Sequence, residues 1–372
     1  MVSEIESVSI DFDSIAKPIS CDRPTGVDPR LDASPLSSYF SLKDVRNQAR
    51  AAERMAIIDN EPLLSFSDMW SDFIEKIPEL LAKEAKDLEY VAWYIEALTR
   101  TGGFRGLGNG FKIACLLIDS FWDELYPSPD EDGVDTRIAP LIGLNGVDSD
   151  GTLLMPISCI PLTEALNGKS YSLWEYEQAL DIDRLEQDKR QQKIASGGIS
   201  LKDVTEAVNS SSSDYYSSLY IDMKFALEQF EELSDLMDKV CGTAVPTSRI
   251  AKKLKACLGA VDYLAKDKLL LLKKDEEESN LLEPTPEVNS NTSESEHLGV
   301  ILNSRSDAIK NLKLIADFFK RTEPHSPMAY GIEQVIRWSA MPLPDLLEEL
   351  ISDGDAREGY FRLVGIVPKS EQ

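Results

Sequence analysis

Apolar residues recur at intervals of three and four over most of this chain, the spacing that gathers them on one face of a helix. Tyr39, Leu42, Val45, Ala49 and Ala52 form one such stripe, and Phe66, Met69, Trp70, Phe73, Ile74 and Ile77 a second. Leu88, Val91, Ala92, Ile95 and Leu98 make a third helix. A fourth, over 107–125, carries Phe111, Ala114, Cys115, Ile118, Phe121 and Trp122. It stops before Tyr126-Pro127-Ser128-Pro129-Asp130, where two prolines force a loop. The apolar stretch 153–162 contains Pro156 and Pro161, and reads as a short edge strand or an extended packing segment. Further helical patterns cover 215–240 and 247–272. Together they predict a mainly α, multi-domain helical protein.

Changes in composition divide the chain. Residues 1–165 read as one helical domain, able to fold independently because four amphipathic helices can enclose a core. Residues 172–272 read as a middle helical domain. The stretch 273–304 holds Glu276-Glu277-Glu278, two prolines and no aromatic residue, so it is expected to be a disordered acidic linker. Residues 305–372 read as a small module of short helices, marginal in size for a lone domain. Association with further copies is one way to supply the missing burial.

The tail is the most telling segment. Pro324 disfavours helical geometry at Glu323, Ser326 can cap a new helix, and Pro327 suits its first turn. A helix from Pro327 places Tyr330, Gln334 and Trp338 on one stripe. Leu343, Leu346, Leu347 and Leu350 follow as an apolar stripe. Trp338 is expected to serve either the module's core or a subunit contact, and Tyr330 and the leucines are candidate contacts with it.

Charge narrows the partners. With 39 basic and 65 acidic residues the net charge is −26, which repels phosphate backbones and anionic membranes. Nucleic acid and direct membrane insertion are not expected. Five scattered cysteines, none in a Cys-x-x-Cys pair, point to reduced thiols in a cytosolic compartment. Cys115 and Cys257 fall in apolar patterns as small core residues. The acidic N-terminus lacks the basic and apolar regions of a signal peptide, and the longest apolar runs, such as 114–118, are far too short to span a bilayer.

No motif carries catalytic chemistry. His297 lies in the acidic linker and His325 between two prolines, and no His/Cys set has zinc-ligand spacing. The glycines at 102, 103, 106, 108 and 110 follow a helix and lack Gly-Lys-Ser/Thr, so they read as a tight corner between helices rather than a phosphate loop. Asp130-Glu131-Asp132-Gly133 and Asp148-Ser149-Asp150-Gly151 lack the closing glutamate of a calcium loop. Arg46, Arg50 and Arg54 form a basic stripe on an acidic protein. It reads as a solvated face, with Arg50 or Arg54 paired to Glu53 and Asp44. A protein contact or an internal ion-pair role is the competing reading. No cofactor or metal is implied.

Several tracts, in order, resemble the ImpA-type N-terminal domain of the TssA family, ring-forming assembly proteins of bacterial type VI secretion systems. They are Pro24-Thr25-Gly26-Val27-Asp28-Pro29-Arg30, Ala49-Arg50-Ala51-Ala52-Glu53-Arg54, Lys86-Asp87-Leu88-Glu89, Trp93, and Glu96-Ala97-Leu98. Gly103-Phe104-Arg105-Gly106-Leu107, 121–127, Arg137, Ala139-Pro140-Leu141 and Leu144-Asn145-Gly146 complete the set. In the tail, 323–327, Tyr330, Arg337-Trp338, Met341-Pro342-Leu343 and Tyr360-Phe361 resemble that family's C-terminal module. The resemblance covers about half the chain, at its two ends. It implies a cytoplasmic, non-enzymatic subunit that forms a ring through its C-terminal module. Such a subunit helps recruit or stabilise the baseplate and the sheath–tube tail. The implied partners are other copies and the baseplate, sheath and inner-tube proteins. The end at Gln372 favours the family's shorter, baseplate-linked type. The competing readings are a generic helical adaptor or, further off, an enzyme with an unrecognisable site.

Overall fold

The computed structural model describes residues 10–59, 61–130, 133–270, 309, 312–313, 315–316, 319–321, 327–341, 346 and 349–350. The chain divides into two compact units, Met1–Pro284 and Thr285–Gln372. Every regular element among the described residues is helical, as the apolar periodicity predicts.

The first unit begins with α1 (Phe12–Ala16), started by the Asp11 side chain, which accepts from the Ser14 amide. The long α2 (Ser38–Asp59) turns Tyr39, Leu42, Ala49 and Ala56 inward. The second apolar stripe starts as a tighter 3-10 helix, Leu63–Trp70, and continues as α3 (Ser71–Lys83). Next comes α4 (Leu88–Phe121), which bends at Gly103, where φ is 55°. The bend joins the third and fourth predicted helices into two arms that fold back on each other. A Cβ at Gly106 would lie 2.3 Å from the Leu98 carbonyl oxygen, so only glycine allows that approach. The glycine-rich stretch is therefore the helix–helix corner that its composition suggests.

Beyond α4 lie α5 (Val134–Asn145), α6 (Leu154–Cys159), α7 (Leu173–Asp183), α8 (Gln187–Ala195), α9 (Leu201–Ser210), α10 (Ser213–Cys241) and α11 (Ser248–Leu264). The stretch 153–162 thus holds a helix, not an edge strand. Pro156 sits in the first turn of α6, where no backbone N–H is required, and Pro161 follows the helix end.

The structure also corrects the domain division at 165–172. One core runs from Ile15 to Ala265 without a break. The cause is α4, which is buried on nearly all sides and needs cover on more than one flank. The 3-10 segment and α3 cover one part of it, and α10 runs along another. The Phe111 and Phe230 rings meet at 4.9 Å between centroids. Gly108 lets α10 approach closely, since a Cβ there would sit 2.6 Å from the Phe225 ring. The buried Asn145 adds a polar tie: its Oδ1 accepts from the Arg249 and Ile250 amides, each at 3.0 Å, at the start of α11. Arg249 reaches back to the Ser149 and Val147 carbonyls at 2.7 and 2.8 Å.

The expected linker 273–304 lies outside the described residues, as do His297, His325, Leu343 and Leu347. In the second unit, α12 (Pro327–Ala340) starts at the proline that the sequence places in its first turn. Ala316 and Ala329 are buried, and Trp338 and Leu346 are half-buried. Tyr330 and Leu350 are exposed, at 65% and 52%. Gln334 donates to Glu349 at 2.7 Å, and Arg337 forms an ion pair with the same carboxylate.

Candidate functional site

Two constructions gather the distinctive residues of the first unit. The first is a junction where three chain segments meet beside the start of α4. The amide of Lys86 donates to the Thr25 carbonyl at 2.9 Å, the amide of Tyr126 to Lys86 at 3.1 Å, and the amide of Leu88 to Tyr126 at 2.8 Å. Gly26 has φ of 77°, and a Cβ there would lie 1.9 Å from the Glu84 carbonyl oxygen. A side chain is thus excluded twice over.

Around that junction, charges are used for structure. The buried Asp87 caps α4, its Oδ1 accepting from the Glu89 and Tyr90 amides at 2.7 and 3.1 Å. Arg30 binds Asp87 at 2.7 Å, Glu89 at 2.8 Å and Asp28 at 3.0 Å. Tyr39 also donates to Glu89, at 2.7 Å. The buried Arg137 donates to the carbonyls of Trp122, Asp123 and Pro127 and packs over the Trp122 ring. Lys86 is fully buried and has no carboxylate partner among the described residues; its Nζ donates to the carbonyls of Ile15 and Leu81 at 2.6 and 2.7 Å. Those carbonyls lie in the last turns of α1 and α3, where helix dipoles favour a cation.

Burial pushes the Lys86 amine down to about 8. A depressed amine favours the folded state most when it is neutral. Stability should therefore rise as the pH climbs from about 8 toward the ordinary lysine value of 10.5, and be lower below that window. Lys86→Met should abolish this increment, on the order of 3 kcal/mol. Urea titrations of both proteins at several pH values check it, since the tyrosine contributions shared by both cancel in the difference.

The second construction lies between α2 and α4. Arg46 binds both oxygens of Glu96, which is completely buried. Glu53, also buried, accepts from Trp70 Nε1 at 2.8 Å and from Arg100 at 2.5 and 2.8 Å. Arg100 stacks over the Trp70 ring, 4.1 Å from its centroid. These contacts correct the local pairing that the sequence suggests. Glu53 faces the core and serves Arg100, so it is not a partner for Arg50 or Arg54. Arg46 holds an internal ion pair, Arg50 is half-buried, and Arg54 is exposed. Periodicity does not reveal the buried acids, because their partners lie about fifty residues away on another helix.

A cleft of about 480 Å³ opens beside the junction, with Val27, Leu31, Asp123 and Glu124 on its walls. The thiols of Cys115, Cys159 and Cys257 are pushed up to about 12 by burial, so they are poor nucleophiles. Among the described residues, no group of three or more His, Cys, Asp or Glu is arranged to hold a metal ion.

Residues 16–146 match the family described as ImpA, N-terminal, type VI secretion system. This region is ImpA_N-like. The chain is also similar in fold to a solved structure from Burkholderia cenocepacia, the N-terminal domain including the conserved ImpA_N region of a type VI secretion TssA component. The TM-score is 0.57 at 20% identity, over 70% of this chain and 95% of that one. No curated protein matches the chain significantly. The structural likeness extends well past the ImpA_N domain, as expected if α7–α11 belong to the same folded unit. Within the ImpA_N domain, the distinctive tracts converge: 24–30, 86–89, 121–127 and Arg137 build the junction, and Glu53 and Glu96 supply the buried acids. Asn145, at the domain's end, caps α11 outside it.

Proposed function

We propose that this protein is a non-enzymatic assembly subunit of a bacterial type VI secretion system. The ImpA_N domain at 16–146 is the observation that carries the reading. The residues that distinguish that domain are spent on holding its fold, which suits a scaffold better than a catalyst. In this reading the first unit is a rigid docking body, and 305–372 associates with other copies to form a ring. The exposure of Tyr330, Val335 and Leu350 in the second unit supports that role. Trp338, half-buried near them in sequence, joins the same contact. The partners are baseplate, sheath and inner-tube proteins, and the place of action is the cytoplasm. No helix among the described residues is long and apolar enough to cross a membrane.

Sedimentation velocity on the full chain and on a chain ending at residue 284 tests the proposal. The full chain should form one discrete high-order species, and the truncated chain should lose it. Trp338→Ala should remain helical by circular dichroism and yield smaller particles. A monomeric full chain, or an oligomer unchanged by the truncation, would overturn the ring assignment. Binding of the full chain to purified baseplate and sheath proteins tests the partner assignment separately.

A further inference from the structure

One wall of the cleft beside the junction is a stretch of chain that the fold fixes at several points. The amide of Val27 donates to the Glu84 carbonyl at 3.2 Å. Asp28 accepts from the Arg30 amide at 2.9 Å and starts the 3-10 turn Pro29–Leu31. Arg30 in turn binds Asp87 and Glu89 at the start of α4. Held this way, the stretch leaves Val27 47% exposed and Leu31 75% exposed, and both line the cleft. A single exposed aliphatic residue is ordinary, but two on one wall, with Tyr126 and Pro129 also in the lining, make a concave apolar surface.

The charges in the same cleft do not cancel. Asp22, Asp123 and Glu124 line it and are exposed, and none of these carboxylates has a hydrogen bond or ion pair with a described residue. Asp28, the fourth carboxylate of the lining, is taken by Arg30. Of the two arginines in the lining, Arg137 is buried and gives its N–H groups to three backbone carbonyls. Arg23 is left as the one exposed cation of the lining, against three exposed carboxylates. The excess favours a cation as occupant, and the aliphatic wall favours apolar residues beside it. Phosphate polymers and anionic bilayers are repelled. A second copy brings a net charge of −26 of its own, so long-range charge opposes a copy here and favours a basic partner.

We propose that this cleft is the docking site for a segment of another protein that carries an Arg or Lys beside aliphatic residues. The cation pairs with Asp123 and Glu124, and the aliphatic residues cover Val27 and Leu31. The wall is fixed before the partner arrives, which lowers the ordering cost of binding. In the docking-body reading of the first unit, on which this rests, the cleft is where the partner is held.

The test uses the full chain and a displayed peptide library with a fixed central Arg flanked by randomised aliphatic positions, beside the matched library with a central Gln. The Arg library should yield binders that the Gln library does not. Their affinity should fall by about tenfold or more when Asp123→Asn and Glu124→Gln are combined, as expected for loss of charge-assisted hydrogen bonds. Leu31→Ser should weaken them by about fivefold or more, because the aliphatic cover is lost. Glu228→Gln combined with Asp235→Asn removes the same charge from exposed positions of α10 outside the cleft. At physiological salt that control should change the affinity by less than about twofold. All the substituted side chains are exposed, so each variant should keep its circular dichroism and unfolding midpoint. Equal enrichment from both libraries, binders indifferent to Leu31→Ser, or binders weakened as much by the α10 pair as by the cleft pair would overturn the proposal. So would an oligomer that changes size on Leu31→Ser, which would make the occupant a second copy. Failed enrichment on a full chain that still forms its discrete high-order species would remove the cleft and leave the assembly reading intact. Cleft-dependent binding by a monomeric full chain would keep the cleft and remove the ring.

Discussion

Arg100→Ala is expected to destabilise the first unit by about 3–5 kcal/mol, the range for removing one partner of a buried ion pair. Arg100 and Glu53 are both almost fully buried, and Arg100 supplies two of the three donors to the Glu53 carboxylate. The variant leaves Glu53 charged in the interior with only the Trp70 indole N–H. It also strips the Trp70 ring of the guanidinium stacked on it. Replacing Glu53 and Arg100 together with apolar residues of similar size should cost much less, because no charge is then stranded. Urea unfolding of the two variants distinguishes a stranded charge from simple loss of packing, which would penalise both alike.

Phe230→Ala is expected to cost about 3–5 kcal/mol, as for other fully buried aromatic truncations. Its informative consequence lies elsewhere in the chain. Phe230 belongs to α10, outside the ImpA_N domain, yet its ring packs on Phe111 of α4 inside that domain. If one core serves both, the variant should unfold in a single transition at lower denaturant. The buried Trp70 and Trp93, both within the ImpA_N domain, should report the same shifted midpoint as helix content. Separate midpoints would mean that α10 is an appended layer rather than part of the core.

How much was legible in the sequence follows from where each signal resides. The stripe from Tyr39 to Ala49, the arms of α4 and the start of α12 at Pro327 rest on local spacing, and local spacing is visible in one chain. The glycine corner was legible too, because a Gly-rich run after a helix has few structural uses. The helix in 153–162 is hidden in the sequence because Pro156 looks like a breaker unless the helix starts only two residues before it. The continuity of the core across residue 165 is hidden for a deeper reason. An amphipathic helix such as α10 presents the same apolar stripe whether it covers its own neighbours or the far side of α4. The candidate site divides in the same way. The stripe Arg46, Arg50 and Arg54 was visible, but the buried acids opposite it were not, since Glu96 and Arg100 look like ordinary helix-surface residues. Lys86 stood inside a recognised tract with no hint that it ties together two helix ends.

The ImpA_N region and α7–α11 should behave as one cooperative body, with the packing of α10 on α4 and the Asn145 contact to α11 joining them. Hydrogen exchange on two fragments, residues 1–165 and residues 1–284, tests it most directly. The longer fragment should protect the amides of α4 as strongly as the full chain does. The shorter one should lose that protection over 104–118, where Gly108, Phe111 and Cys115 pack against α10. Full protection of α4 in residues 1–165 alone would contradict the account and restore two independent domains.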